Sequence, residues 1–197
     1  AAAKLDTQIA RLLVIHQMLG TRISDTLTLW TDCLFEQKQV PMIRIRQMKT
    51  NTYIKPISRE LEELIKLAIA ETKKRYGETK YIFVREEDPT KPMKYGTLQG
   101  KIMAMIQKEQ LKDGNGKLFG FNTHMFRHYY GSKITEMDLD DWTLAKLFGH
   151  KSIKSVKYYR RMSNHRLAED TREIRERKSQ FIAGYLEGWG EEYEQVR

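Results

Sequence analysis

The sequence predicts a mainly helical fold with a small antiparallel β-sheet, that is, a domain of the α+β class. Most of the chain places apolar residues at helical spacing, and capping residues or glycines stand at the ends of these segments. Strands are indicated at residues 40–48, 53–57 and 80–84. Because Thr50-Asn51 is a plausible turn, the first two strands are predicted to form a hairpin.

Local signals bound most of the predicted helices. Gly20 ends the first helix, Ser58 caps the third, Gly77 ends it, and Thr123 and Asp140 cap two later ones. The predicted helices cover residues 5–19, 23–30, 59–76, 95–110, 124–137 and 141–148, followed by a short helix opened by Ser152 that carries Tyr158 and Tyr159.

Composition limits the class of the protein. The 197 residues are enough for one sizeable core but too few to expect two full domains. A formal net charge of +9 favours a polyanionic partner, although many basic proteins bind no nucleic acid. Cys33 is the only cysteine, so the chain can form no internal disulfide, which is typical of a cytoplasmic protein. No apolar run is as long as a membrane span.

We expect a single domain over residues 1–197, with residues 164–197 as its C-terminal helical tail. Apolar residues at helical spacing mark one stripe of this tail: Phe181, Ile182, Tyr185, Leu186 and Trp189. The stripe fits a helix docked on its own core, and it fits equally a segment that packs on a neighbouring protomer. The acidic residues at this end make contact with DNA unfavourable.

His124, Arg127 and His128 fall on one face of a predicted helix. Two histidines four residues apart can bind zinc, but the metalloprotease motif needs a glutamate after the first histidine, and here Met125 occupies that position. The plain alternative is a solvated polar face with one core histidine. We therefore predict no metal site.

Three further groups are ordinary when each is taken alone. Arg22 stands at the start of a helix, where it could be a surface charge, a partner of Asp25 or part of a phosphate-binding site. Lys49 lies at the hairpin tip, in a strand face that is either solvated or aimed into a groove. His150 follows a glycine, and Tyr159 comes nine residues later.

In chain order, these residues resemble the tyrosine recombinase family, also called the phage integrase family. Residues 20–32 (GTRISDTLTLWTD) resemble its first-arginine box, and residues 124–130 (HMFRHYY) resemble its HxxRH box. Residues 147–153 (LFGHKSI), followed by Tyr159, resemble the box that leads to the nucleophile. The resemblance covers residues 12–162 and implies the catalytic-domain fold of that family.

The resemblance also implies a role for each matching residue. Tyr159 is the nucleophile, Arg22 and Arg127 grip the scissile phosphate, and Lys49 is the general acid. The implied further site residues are His124 and His150 at the phosphate or the tyrosine proton, Asp25 and His128 as structural support, and Arg44, Arg46, Lys151 and Arg160 as DNA contacts.

Two assignments compete with close neighbours. Tyr158 is an alternative nucleophile, but the family's spacing from His150 selects Tyr159. Lys55 is an alternative to Lys49, because the length of this hairpin varies in the family. Phe148 stands where a leucine or glycine is commoner, which is a conservative change. The family's N-terminal DNA-clamping domain has no counterpart, so we expect a piece of a longer protein.

The function implied is site-specific cleavage and rejoining of double-stranded DNA through a 3′-phosphotyrosine, without metal or other cofactor. The enzyme is expected to belong to a mobile element, to act in the cytoplasm, to be a monomer when free, and to form a homotetramer on DNA. Two alternatives remain: an enzyme like a type IB topoisomerase, and a DNA-binding module without catalytic activity.

Overall fold

The fold was analysed in a computed structural model of the protein, which describes residues 6–47, 52–135, 137, 139–150, 152–158, 172–173 and 176. Its helices within these residues are α1 (Thr7–Leu19), α2 (Ile23–Leu27), α3 (Arg59–Tyr76), α4 (Tyr95–Lys108), α5 (His124–Thr135), α6 (Asp141–Leu147) and a 3₁₀ helix (Ile153–Tyr158). Its strands are β1 (Leu34–Gln37), β2 (Val40–Arg46) and β3 (Thr52–Pro56). The predicted mainly helical fold with a small sheet is confirmed.

Capping residues start the helices much as predicted. The side chain of Ser58 accepts a hydrogen bond from the backbone N–H of Leu61, and Asp140 accepts from two N–H groups in the first turn of α6. At α5, however, the side chain of Asn122 accepts from the N–H of His124. The predicted cap, Thr123, is buried.

The three strands form an antiparallel sheet in the order β1-β2-β3. Burial alternates along β2, so its basic residues share the partly exposed face, as predicted. Strand β1 was not predicted. The turn that joins it to β2 places Lys38 and Gln39 at φ values of 49° and 64°, where hairpins usually have asparagine or glycine. The turn therefore lacks the usual sequence signal.

The strand predicted at residues 80–84 is wrong. Tyr81 and Val84 form only isolated bridges, to Trp30 and Pro92, within the described residues. Ile82 and Phe83 are buried, and their backbone groups bond to two different loops. Burial of this apolar run, not strand pairing, explains its strand-like composition.

Two apolar clusters hold the described helices. The larger one packs α1, α3 and α4 against the sheet. The smaller one joins α6 to the 3₁₀ helix through Leu144, Ala145 and Val156. It therefore fixes the segment that ends directly before residue 159.

The chain divides into two compact units, residues 1–159 and residues 160–197. In the second unit, residues 172, 173 and 176 are helical, and Arg172 Nε lies 2.9 Å from Glu176 Oε1. The apolar stripe predicted for the tail lies outside the described residues. In the part of the chain that the structure describes, no helix is long and apolar enough to cross a membrane.

Candidate active site

Arg22 lies in the short connection between α1 and α2. Helix α1 ends at Gly20, whose φ of 59° is left-handed and favours glycine. The ring of Tyr130 occupies the space that a Cβ at residue 20 would need. Arg22 is 45% exposed, and its Nη1 lies 3.9 Å from Oδ2 of the buried Asp25. The carboxylate is thus placed beside the arginine.

Arg127 lies on α5 and is buried, with 5% of its surface exposed. Its Nη1 donates to the carbonyl of Gly20 at 2.7 Å, and its Nη2 contacts the carbonyl of Phe148 at 3.4 Å. The same Nη2 lies 2.9 Å from His150 Nε2. The guanidinium carbon lies 4.8 Å from the centre of the Phe148 ring. Arg127 therefore joins the connection after α1 to the connection after α6.

His150 follows α6, and its backbone N–H donates to the carbonyl of Ala145. Its ring stacks on Phe148, with centroids 5.6 Å apart. Burial, together with the smaller effects of the charges of Arg127 and Arg22, lowers the pKa of His150 to about 4. His150 is therefore neutral at pH 7. Since a guanidinium only donates, Nε2 accepts from Arg127 and Nδ1 carries the proton.

Gly149 shapes this second connection as Gly20 shapes the first. Its φ is 65°, and a Cβ there would lie 2.5 Å from Cε1 of Tyr53 and 2.8 Å from Nε2 of Gln47. Burial raises the pKa of Tyr53, so its hydroxyl stays protonated. An aromatic ring therefore fills the place of the missing side chain at both glycines.

A buried network of hydrogen bonds connects Thr21, in the connection that carries Arg22, to α1 and α2. His16 Nδ1 lies 2.8 Å from the hydroxyl of Thr26, which lies 2.6 Å from the hydroxyl of Thr21. His16 Nε2 lies 3.3 Å from the carbonyl of Thr123. Burial lowers the pKa of His16 to about 4, so the ring is neutral. Nε2 then donates to the carbonyl, and Thr26 donates to Nδ1.

Lys55 lies on β3 and is buried, with 3% of its surface exposed. Lys55 is therefore not part of a solvated strand face. Its Nζ donates to the carbonyl of Leu19 at 2.7 Å, contacts that of Leu147 at 3.4 Å, and lies 2.8 Å from the hydroxyl of Tyr130. Burial lowers the pKa of Lys55 to about 7, and the charge of Arg127 contributes.

The remaining predicted residues of the site are exposed on α5 or lie outside the described residues. His124 and His128 are exposed on α5, so the core histidine is His16 instead. The four residues that lie outside the described residues are Lys49, Lys151, Tyr159 and Arg160. Their roles stay predictions.

The two arginines predicted to touch DNA share the partly exposed face of β2. Arg44 lies over the ring of Phe35, with 5.0 Å between the guanidinium carbon and the ring centre. Arg46 makes two hydrogen bonds to Asp32, of 2.8 Å and 3.2 Å, and lies 3.8 Å from the centre of the Trp30 ring. Both side chains are therefore held by neighbours, on β1 for Arg44 and in the segment before β1 for Arg46.

Four contributors to the site escaped the sequence analysis: His16, Tyr53, Phe148 and Tyr130. A signal existed for His16, because it follows Leu12 by four residues and precedes Leu19 by three on the buried face of α1. Phe148 lies within a predicted motif, but its contacts with Arg127 and His150 depend on the packing of α5 against the end of α6.

Groups of three or more histidine, cysteine, aspartate or glutamate residues that could hold a metal ion do not occur among the described residues. The cluster is instead built from arginine, lysine, neutral histidine and backbone carbonyls. Such groups can bind and orient an anion.

The model of the phage integrase family matches residues 1–166. The chain belongs to the phage integrase family. The Transposase B proteins of transposons Tn554 (Staphylococcus aureus strain N315) and PsiTn554 (Staphylococcus aureus) are each 27% identical to it over 176 residues. These matches cover 88% of this chain and 28% of each transposase, so the chain spans little more than a quarter of their length.

Solved recombinase structures share the fold. XerH site-specific recombinase in a post-cleavage complex with its difH substrate has a TM-score of 0.66 and 17% identity, over 85% of this chain and 47% of that one. The Tn1549 transposon integrase bound to transposon right end DNA has a TM-score of 0.62 and 15% identity, over 87% and 60%. A lambda integrase tetramer bound to a Holliday junction has a TM-score of 0.55 and 16% identity, over 79% of this chain and 42% of that one.

Proposed function

We propose that this phage integrase family chain is the catalytic domain of a site-specific recombinase, which cleaves and rejoins double-stranded DNA through a 3′-phosphotyrosine. The observation that carries this proposal is the position of Arg127, which is buried, lies 2.9 Å from His150 Nε2, and donates to the carbonyl of Gly20, two residues before Arg22. Arginine side chains suit a phosphodiester whose non-bridging oxygens gain negative charge during the reaction, because a guanidinium donates two parallel hydrogen bonds.

Tyr159 is the proposed nucleophile. Its hydroxyl oxygen attacks the phosphorus, the bond from phosphorus to the 5′ oxygen breaks, and a strand with a 5′-hydroxyl leaves. The tyrosine proton passes to a nearby base, and Lys49 donates a proton to the leaving oxygen. Because the phosphotyrosine keeps the energy of the broken ester, a 5′-hydroxyl can reverse the step and rejoin the strands.

The neutral state of His150 has a consequence for the arginines. Its Nε2 accepts from Arg127 and thereby fixes the plane of the guanidinium, without adding a third positive charge beside Arg22. His124, one turn before Arg127 and exposed, is assigned a contact with the scissile phosphate. Asp25 holds Arg22, and His128 supports α5.

Lys49 is a better candidate for the proton donor than Lys55. A general acid must reach the leaving oxygen of a bound duplex. The Nζ of Lys55 is buried between two backbone carbonyls and a tyrosine hydroxyl, so it faces the protein interior. The assignment of Lys49 itself rests on its position in the motif.

The proposed partner is double-stranded DNA, contacted by Arg44, Arg46, Lys151 and Arg160, with a monomer in the free state and a homotetramer on DNA. The named relatives are transposases, and the solved neighbours include DNA complexes and a tetramer on a Holliday junction. These likenesses support an enzyme of a mobile element. Its substrate places it where that DNA lies, which is the cytoplasm in a bacterium.

A nicked duplex library with a randomised site around the nick tests this proposal. Cleavage near a nick releases a short strand, so rejoining fails and the covalent protein–DNA adduct accumulates. We expect the 197-residue chain to give an adduct that resists denaturation, and sequencing of its DNA would identify the preferred site.

Tyr159→Phe should abolish the adduct and retain DNA binding, whereas Tyr158→Phe, its matched control, should still form the adduct. Adduct formation by Tyr159→Phe would contradict the assignment. DNA binding by the unmodified chain with no adduct would favour the DNA-binding module without activity. Relaxation of supercoiled DNA without exchange of strands between duplexes would favour an enzyme like a type IB topoisomerase.

A further inference from the structure

Lys55 occupies a position where strand alternation calls for an apolar side chain. In β3 it pairs with the buried Ile43 of β2, while the neighbouring Ile54 is 46% exposed. An ammonium group in the interior loses its hydration, which is costly unless hydrogen bonds replace the lost water. The partners of Lys55 therefore explain why a lysine is held here.

Those partners are the ends of two helices. Leu19 is the last residue of α1 and Leu147 is the last residue of α6, and the carbonyls of both contact Lys55 Nζ. The last carbonyls of a helix lack partners within the helix and carry its partial negative charge, so they favour a cation. Tyr130 supplies a third contact from α5, through its hydroxyl at 2.8 Å.

The ends of α1 and α6 are each followed, three residues later, by a residue of the proposed site. Arg22 follows Leu19 by three residues, and His150 follows Leu147 by three residues. We call the two segments, residues 20–22 and 148–150, the Arg22 loop and the His150 loop. Lys55 bonds to the residue that immediately precedes each loop.

Arg127 makes a parallel bridge one residue further along both loops. Lys55 bridges the carbonyls of residues 19 and 147, and Arg127 bridges those of residues 20 and 148. A guanidinium that grips a phosphate shares its N–H groups between that phosphate and these carbonyls. The hydrogen bonds from Lys55 to the carbonyls of Leu19 and Leu147 stay in place while Arg127 binds the phosphate.

We infer that Lys55 is a positioning residue for DNA cleavage, which holds the Arg22 loop and the His150 loop in register while Arg127 grips the scissile phosphate. The inference rests on the proposed function. Both protonation states of Lys55 suit the role, since a neutral amine donates to the two carbonyls and accepts from Tyr130. The pKa of about 7 is therefore compatible with an unbroken bridge.

Hydrogen–deuterium exchange tests the positioning directly and needs no activity. In Lys55→Met, which has a similar volume, we expect faster amide exchange in both loops and unchanged exchange in α3. Lys66→Met, on the exposed face of α3, serves as the matched control and should change neither loop. Unchanged exchange in the two loops would overturn the inference, and so would a uniform increase across the core.

Single-turnover cleavage of the selected duplex provides the second arm. At saturating DNA, the cleavage rate constant of Lys55→Met should fall by about tenfold to a hundredfold while the affinity for DNA changes little. A lysine that matters only for folding would lower the amount of active protein and leave the rate constant unchanged, which would overturn the inference.

A duplex with sulfur in place of the leaving 5′ oxygen separates positioning from proton donation. A thiolate is a far better leaving group than an alkoxide and needs no proton. This substrate should restore cleavage by Lys49→Met but not by Lys55→Met. Restored cleavage by Lys55→Met would overturn the inference, because it would make Lys55 the general acid.

Tyr130→Phe covers the case in which Lys55→Met does not fold. It keeps the ring beside Gly20 and removes the hydroxyl that contacts Lys55, and we expect about a fivefold fall in the rate constant with faster exchange in both loops. Wild-type rates and exchange in this variant would overturn the inference. If the unmodified chain gives no adduct but both loops exchange faster in Lys55→Met, the proposed function is contradicted and the positioning of the loops by Lys55 is not.

Discussion

The Arg22 loop and the His150 loop are built alike but supported differently. Each follows a helix and contains a left-handed glycine with an aromatic ring in the place of its side chain. Below the Arg22 loop lies the hydroxyl network of His16, which ties it to the larger core. The His150 loop depends on the ring of Phe148, under both His150 and Arg127. Similar local geometry thus rests on polar contacts in one loop and aromatic packing in the other.

The glycines offer the strongest way to break both loops. Gly20→Ala combines a left-handed backbone with overlap against the ring of Tyr130. We expect a loss of about 3 kcal/mol or more in the free energy of unfolding, measured by chemical denaturation.

Gly116→Ala is the matched control, because φ there is 78° but nothing lies within 4 Å of the added Cβ. It should cost about 1 kcal/mol, the strain of the left-handed backbone alone. Equal losses in the two variants would mean that the contact with Tyr130 adds nothing to the requirement for glycine at residue 20.

Acid destabilises both loops through their histidines. The pKa values of His16 and His150 fall to about 4 in the folded chain from an ordinary value of 6.5. Between these values the unfolded chain binds more protons, so stability falls as the pH drops from about 6.5 to 4. Because His16 is almost fully buried, its share of that loss is up to about 3 kcal/mol.

Denaturation of His16→Gln across this pH range measures that share. The variant should be less stable at pH 7 but should lose less stability on acidification than the unmodified chain. An unchanged slope would show that His16 is protonated in the folded state, which would contradict the neutral ring inferred for the Arg22 loop.

The smallest expected effect belongs to a single hydroxyl. Thr21→Val removes the donor to Thr26 while nearly preserving shape, and we expect a loss of about 1 kcal/mol, because the hydrogen bond is buried. Thr143→Val, at the start of α6, removes an exposed hydroxyl contact with Asp140 and should cost only a few tenths of a kcal/mol. If the two losses were equal, the buried network would not distinguish the Arg22 loop.

Local signals predicted much of the fold. Ser58 and Asp140 cap α3 and α6 because their short side chains reach backbone N–H groups of the next turn, which needs no distant contact. Strand β1 was missed because Lys38 and Gln39 form a turn that usually requires asparagine or glycine. The apolar run from Ile82 was misassigned, because burial alone does not distinguish a paired strand from a core loop.

The motifs identified the family and indicated candidate reactive residues, because a shared fold keeps such residues in the same order along the chain. Tertiary structure decided what surrounds them. The sequence offered Lys55 only as an alternative to Lys49. In the fold it is buried, and its ammonium group contacts the ends of α1 and α6, which lie far from it in the sequence. Only the packed fold could place its ammonium there, because its three partners come from three different helices.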